Sequence, residues 1–267
     1  MRILGLTFLL IVTGCTGATP NKNVVRTNFL EDSIPHDPPL NTMKVTLTSP
    51  DGARIVGSLY ETFQPNSPAI LLLHQWQNDR HSYDDFAKRM QLKHFNVLSI
   101  DARGFGESKT AADGSPIAAG RTDADVRAML GDVGTAFEFL SKQKNVDPTR
   151  VGIAGASYGS SLAILYAADN PKVAAVALLS PRLNYFGNMP TAPAIRKYGD
   201  RPLYFLAGQD QDRESFDAVN KLNPIEGARA KYEQTIHPDG GHGTALLEVG
   251  AAEELDDFFS RHFIKGK

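Results

Sequence analysis

Cysteine is nearly absent: Cys15 is the only one in 267 residues, so no internal disulfide can brace the chain. Paired-cysteine spacings and the HExxH pattern are missing too, which removes the common zinc-binding signatures; neither a metal nor an organic cofactor is expected. An excess of charge of either sign is equally lacking. The 28 Lys and Arg against 30 Asp and Glu leave a net charge of −2, too little to hold nucleic acid by its phosphates, and no nucleic-acid partner is expected. No apolar run approaches the ~20 residues that a membrane-spanning helix needs. There is no internal repeat and no sign of a second folded domain. What remains is 42% hydrophobic and 22% charged, close to globular averages and enough for one sizeable core.

The first residues differ from the rest. Arg2 is a minimal positive start, "ILGLTFLLIV" is an apolar stretch too short to span a bilayer comfortably, and "TGC" follows it. This order reads as a signal peptide over residues 1–14. The segment "VTGC" resembles a bacterial lipobox, which implies a lipidated Cys15 as mature N-terminus, anchored to the cell envelope. Thr16, where some lipoproteins carry aspartate, is compatible with outer-membrane or surface sorting. An ordinary signal peptide with an incidental cysteine, giving a secreted or periplasmic protein, is the alternative. Residues 15–42 are polar, proline-bearing and aperiodic, and read as a tether.

From residue 43 the pattern becomes that of a folded α/β unit, taken as residues 43–267. "MKVTLTS" and "ARIVGSLYE" are β-rich runs around Pro50-Asp51-Gly52, a turn sequence, and predict an antiparallel hairpin. "AILLLH" is a continuous apolar run of the kind that forms a central parallel strand. "FNVLSID", "RVGIAG", "VAAVALLS", "PLYFLAG" and "KYEQTIH" read as further strands. Helices are expected near 80–93, 123–143, 157–169, 190–199, 212–222 and 243–262. In the last, Leu247, Ala251, Leu255, Phe258, Phe259 and Phe263 share one face. The alternation predicts a single doubly wound, mostly parallel sheet with helices on both sides.

One junction is unusual. Between a β-rich run and a small-residue helix lies Gly155-Ala156-Ser157-Tyr158-Gly159. A serine raised on a sharp strand-to-helix turn brings backbone together on both sides, so residues without a Cβ are needed two before and two after it. Ser157 is therefore the candidate nucleophile, and the Tyr158 N–H, at the positive end of the helix, a candidate oxyanion donor. In this arrangement the acid and then the histidine follow the serine in the chain. His242, between glycines in "DGGHGTALL", is the favoured base; His237 reads as structural and His262 as a surface or capping residue. After "PLYFLAG", "GQDQDRES" offers Asp210 and Asp212, two and four residues beyond Gly208. The usual offset of three falls on Gln211, so the acid is Asp212 or Asp210, with Asp212 slightly preferred because an extra loop residue is easier to absorb. In "HQWQNDR", His74 reads as a structural strand end and the Trp76 N–H as the second oxyanion donor. The glycines of "DARGFGES" at 101–108 are expected to serve close backbone packing.

With these pieces placed, the chain resembles the α/β-hydrolases, and in particular the compact bacterial enzymes related to dienelactone hydrolases and to serine-aminopeptidase-like esterases. The resemblance runs from about residue 43 to 264 and rests on "TSPDGARIVGSLY", "LLLHQW", "SIDARGFGES", "GASYGSSLA", "RPLYFLAG" and "GGHGTALL". It implies Ser157 as nucleophile, His242 as base, Asp212 or Asp210 as acid, and Trp76 and Tyr158 as oxyanion amides. Three departures stand out: Gln75 replaces a usual glycine, Phe105 a common histidine, and the acid register is off by one. Cysteine-dependent dienelactone hydrolysis is excluded, because residue 157 is serine.

The implied reaction is hydrolysis of a small-molecule ester through a covalent acyl-enzyme. Only "PRLNYFGNMPTAPAIRKYGDR" separates two strands where many relatives insert a lid. An open site for small or short-acyl esters follows, with Trp76, Tyr158, Tyr185, Phe186 and Met189 as candidate walls. Two other readings stay open: a peptidase or amidase with the same residues, and a non-catalytic binding lipoprotein on a decayed hydrolase fold. Oligomeric state has no signature in the sequence.

Overall fold

The computed structural model describes residues 41–222 and 232–264. The signal segment, Cys15 and the tether up to residue 40 lie outside the described residues. β1 (Asn41–Thr48) and β2 (Arg54–Glu61) form the expected hairpin, in register from Asn41 opposite Glu61 to Thr48 opposite Arg54. β1 thus begins at Asn41, two residues before the boundary placed at the end of the tether. The Asn41 Nδ2 donates to Glu61 Oε2 at 2.9 Å, a side-chain bond that the apolar pattern could not reveal.

The remaining strands are β3 (Ser67–Leu73), β4 (Asn96–Ile100), β5 (Val146–Ala156), β6 (Ala175–Leu179), β9 (Leu203–Gly208) and β10 (Tyr232–His237). Their order across the sheet is β1-β2-β4-β3-β5-β6-β9-β10. β1 with β2 and β2 with β4 are antiparallel, and every other pair is parallel. Burial on both faces explains why the central strands lack polar alternation. Along β3, Ala69, Leu71 and Leu73 enter one apolar cluster while Ile70 and Leu72 enter the other. The first cluster holds α2 (Asp123–Ser141), α3 (Tyr158–Asp169), α4 (Thr191–Tyr198) and α5 (Arg213–Leu222). The second holds α1 (Asp84–Leu92) and α6 (Ala251–Phe263). Each large aliphatic side chain buried this way contributes about 2 kcal/mol.

Some boundaries differ from the sequence reading, each for a local reason. The helix expected over 80–93 opens as a 3₁₀ turn, Arg80–Tyr83, capped by the Asp79 side chain accepting from the His81 N–H, before α1 begins. The segment 243–262 is divided: Gly250, at φ 114°, separates a 3₁₀ helix, Gly243–Val249, from α6. Between β6 and α4 lies a small hairpin of β7 (Asn184–Tyr185) and β8 (Met189–Pro190), pinned by the Met189 N–H donating to Asn184 Oδ1 at 2.7 Å. Strands of two residues leave no periodic trace. No helix among the described residues is long and apolar enough to cross a membrane.

The "DARGFGES" turn packs as tightly as expected. A Cβ on Gly106 would lie 2.3 Å from the Asp101 carboxyl, and one on Gly104 would lie 2.1 Å from the Ala119 nitrogen. Buried Asp101 also accepts from the Arg80 and Glu107 backbone N–H groups, at 2.8 Å each.

Candidate active site

The five residues from Gly155 to Gly159 join β5 to α3 at the carboxyl edge of the sheet. Ser157 itself is not helical: φ is 55° and ψ −123°, and α3 starts one residue later than the sequence suggested. A non-glycine residue in that region costs on the order of 1–3 kcal/mol, so the surroundings must impose it. Those surroundings are close. A Cβ on Gly155 would lie 2.2 Å from the Gly159 carbonyl oxygen, and one on Gly159 would lie 2.6 Å from that of Leu73. The glycines are therefore required by close backbone approach.

The loop after β10 carries His242 to this edge. Its Nε2 is 2.7 Å from Ser157 Oγ, and its Nδ1 is 2.7 Å from Asp212 Oδ2. An ionised carboxylate only accepts, so the Nδ1 carries the proton and the Nε2 turns a lone pair to the serine. Burial raises the pKa of Asp212, but hydrogen bonds from His242 and Ser180 outweigh it and hold the carboxyl below its ordinary value. Asp210, the other candidate acid, is exposed and is not brought to His242.

The extra residue in the acid loop has a visible origin. The Gln209 N–H donates to the His237 carbonyl at 2.9 Å and the Asp210 N–H to that of Pro238 at 3.1 Å. β9 and β10 thus stay paired past Gly208, the turn is delayed, and Asp212 rather than Gln211 faces inward.

His74 is placed away from proton transfer. It is buried; its Nδ1 donates to the Gln75 carbonyl at 2.7 Å, and its Nε2 accepts from the Ala102 N–H at 2.9 Å. Burial lowers its pKa, in keeping with a neutral ring. His237 pairs with Glu254 at 2.9 Å, and His262 pairs with Glu233 at 3.3 Å.

Tyr158 directly follows Ser157, and Trp76 lies three residues beyond the end of β3, the neighbour of β5. Among the described residues neither backbone N–H finds a protein acceptor, which leaves both free for a ligand oxygen. The two side chains meet edge to face, 5.3 Å between centroids.

Gln75 has a use the sequence did not suggest. Its Oε1 accepts from the Thr244 N–H at 2.7 Å and from the Thr244 hydroxyl at 2.8 Å. Ser180 Oγ accepts from the Gly243 N–H at 2.8 Å. The histidine loop is tied at two successive residues to two different strand ends. Such long-range polar contacts leave no motif. Phe105 packs edge-on to His74 and Trp76, at 5.8 and 4.9 Å.

Of the five residues expected as walls, three are buried members of the core. The Tyr158 ring and Met189 are buried in the apolar cluster beneath α3. Trp76 and Phe186 are half-buried and stack edge to face at 4.9 Å, with the Arg121 guanidinium 4.8 Å from both rings. Tyr185 is buried, but its hydroxyl lies 3.1 Å from Ser157 Oγ. Nothing in the sequence around Tyr185 signals that contact.

A mostly parallel sheet with a serine on a strained strand-to-helix turn at its carboxyl edge defines an α/β-hydrolase. Residues 64–203, just over half of the chain, match the family described as serine aminopeptidase, S33, and the chain belongs to that family. It is 33% identical over 138 residues to the uncharacterized protein Rv2307c of Mycobacterium tuberculosis. That match covers 51% of this chain and 44% of the relative, so the chain spans less than half of that protein's length. Among solved structures it resembles a dienelactone hydrolase of Anabaena variabilis, with a TM-score of 0.64 at 17% identity. That superposition covers 84% of this chain and 99% of the other. Acetyl xylan esterase 1 of a Thermoanaerobacterium species superposes with a TM-score of 0.67 at 17% identity, covering 83% of each chain.

Proposed function

We propose that the protein is a serine hydrolase that cleaves small or short-acyl carboxylic esters. The observation that carries this reading is the unbroken relay from Asp212 Oδ2 through His242 to Ser157 Oγ, with both contacts at 2.7 Å. Ser157 Oγ attacks the ester carbonyl while His242 Nε2 takes its proton, and Asp212 holds the ring in the tautomer that permits this. The amides of Trp76 and Tyr158 receive the oxyanion, each donor worth about 3 kcal/mol in the transition state. The Nε2 proton then passes to the leaving alcohol. Water, deprotonated by the same nitrogen, releases the acid from the acyl-enzyme.

The short segment between β6 and β9 supports the substrate size, since it holds only the β7–β8 hairpin and α4. The structurally similar acetyl xylan esterase is consistent with a short acyl group. On p-nitrophenyl esters, acetyl and butyryl substrates are expected to be turned over at least about tenfold faster than lauroyl or palmitoyl ones, one pocket methylene being worth about 1–3 kcal/mol. A preference for the long chains would refute the open-site reading. The family description favours a second reading, an aminopeptidase. An aminoacyl anilide in the same assay separates the two, because a peptidase would prefer it to the matched ester.

The envelope anchor forms part of the proposal through the lipobox-like segment before Cys15. Metabolic labelling with a palmitate analogue is expected to mark the protein and to be lost in Cys15→Ala. An unlabelled, freely secreted wild-type protein would exclude the anchor.

A further inference from the structure

Tyr185 is held with little freedom. It sits on β7, opposite Met189 of β8, with only 6% of its surface exposed. The Arg182 guanidinium lies 5.2 Å from its ring centroid and the Phe186 ring 6.2 Å away. A phenylalanine could fill this space equally well, so the hydroxyl calls for a separate explanation.

That hydroxyl touches two oxygens. It donates to the Ser180 carbonyl at 2.9 Å, and it stands 3.1 Å from Ser157 Oγ. Each hydroxyl has a single proton to give. At rest the phenol proton lies on the Ser180 carbonyl, a neutral acceptor. Once His242 Nε2 has taken the serine proton, Ser157 Oγ carries negative charge, and a charge-assisted bond is roughly twice as strong as a neutral one. The better acceptor is then the serine oxygen, and rotation about the C–O bond suffices to reach it.

We propose that Tyr185 is a further catalytic residue, donating a hydrogen bond to Ser157 Oγ whenever charge develops on that oxygen. The proposal rests on the acyl-transfer reading above. In the attack, the serine proton passes to His242 Nε2, the Oγ–C bond forms, and the carbonyl π pair moves to the oxyanion. Tyr185 keeps its proton throughout and contributes only the hydrogen bond. In deacylation the Oγ–C bond breaks with its electron pair returning to Oγ. Tyr185 again donates there until the proton comes back from Nε2. Burial pushes the phenol pKa up to about 12, so the donor stays protonated across the working pH range.

Kinetics of fluorophosphonate labelling isolate the first of these steps, because the phosphonylated serine does not turn over. Tyr185→Phe is expected to lower the labelling rate constant about tenfold and kcat/KM for p-nitrophenyl acetate by a similar factor, with KM within about twofold. Tyr185→Phe also removes a donor from the Ser180 carbonyl, so a second variant guards against a packing effect. Replacement by 3-fluorotyrosine keeps the ring and the donor and is expected to label at least as fast as wild type. A Tyr185→Phe rate within about twofold of wild type would overturn the proposal, as would 3-fluorotyrosine falling as far as phenylalanine. A wild-type protein that neither labels nor hydrolyses the acetate would instead remove the acyl-transfer reading itself.

Discussion

Ser157→Ala is expected to lower kcat for p-nitrophenyl acetate by about 10⁵–10⁶-fold, leaving only what the oxyanion amides and substrate binding supply. Steady-state kinetics on the purified variant measure this directly. A drop of less than about a hundredfold would mean that another group performs the attack. The same position allows a test of stability against activity. Ser157 is held at φ 55°, where any side chain with a Cβ is strained and glycine is not. Ser157→Gly is therefore expected to be as inactive as Ser157→Ala but to unfold at a higher temperature. Strain that raises a nucleophile above the sheet is recovered as stability once the nucleophile is given up.

The second large effect is expected at the acid. Asp212→Asn should lower kcat by about 10⁴-fold, whereas Asp210→Asn should stay within about twofold of wild type. The cause is the tautomer. An asparagine amide facing His242 can donate to Nδ1, which leaves the proton on Nε2 and removes the lone pair that Ser157 needs. Asp210, exposed and two residues before Asp212, makes no bond to His242 among the described residues, and the pair of variants decides between the two aspartates. Comparable losses in both, or a larger loss in Asp210→Asn, would contradict the assignment. The carboxylate also links stability to pH. Hydrogen bonds hold the folded pKa of Asp212 below its ordinary value. Its contribution is therefore fully present above that ordinary value and is lost as pH falls through the lower folded one. Asp212→Asn should remove this part of the acid sensitivity.

Much of the site was legible because its demands are local. Gly155 and Gly159 announce an elbow since close backbone approach excludes a Cβ there, and that requirement is written in consecutive residues. His242 could be found from chain order and its glycine neighbours. The alternation of apolar runs with amphipathic segments was enough for the doubly wound sheet. What sequence reasoning missed depends on contacts between distant segments. In the sequence Gln75 stands out only as a replacement for a usual glycine, yet its side chain reaches across to Thr244. The four-residue offset from Gly208 to Asp212 is irregular in the sequence, and the backbone bonds of Gln209 and Asp210 to the β10 exit explain it. The β7–β8 hairpin that positions Tyr185 is too short for any period to show. Gly250 was a signal that could have been used, since a glycine at positive φ ends a helix, but the shared apolar face of residues 247–263 obscured it.

All of this depends on one oxygen being nucleophilic. The most direct measurement is mass spectrometry of the intact and digested protein after exposure to a fluorophosphonate probe. A single adduct on the peptide bearing Ser157, lost in His242→Ala, is the expected result. No adduct on the wild-type protein, or an adduct on any other residue, would contradict the assignment and leave an α/β-hydrolase fold without this chemistry.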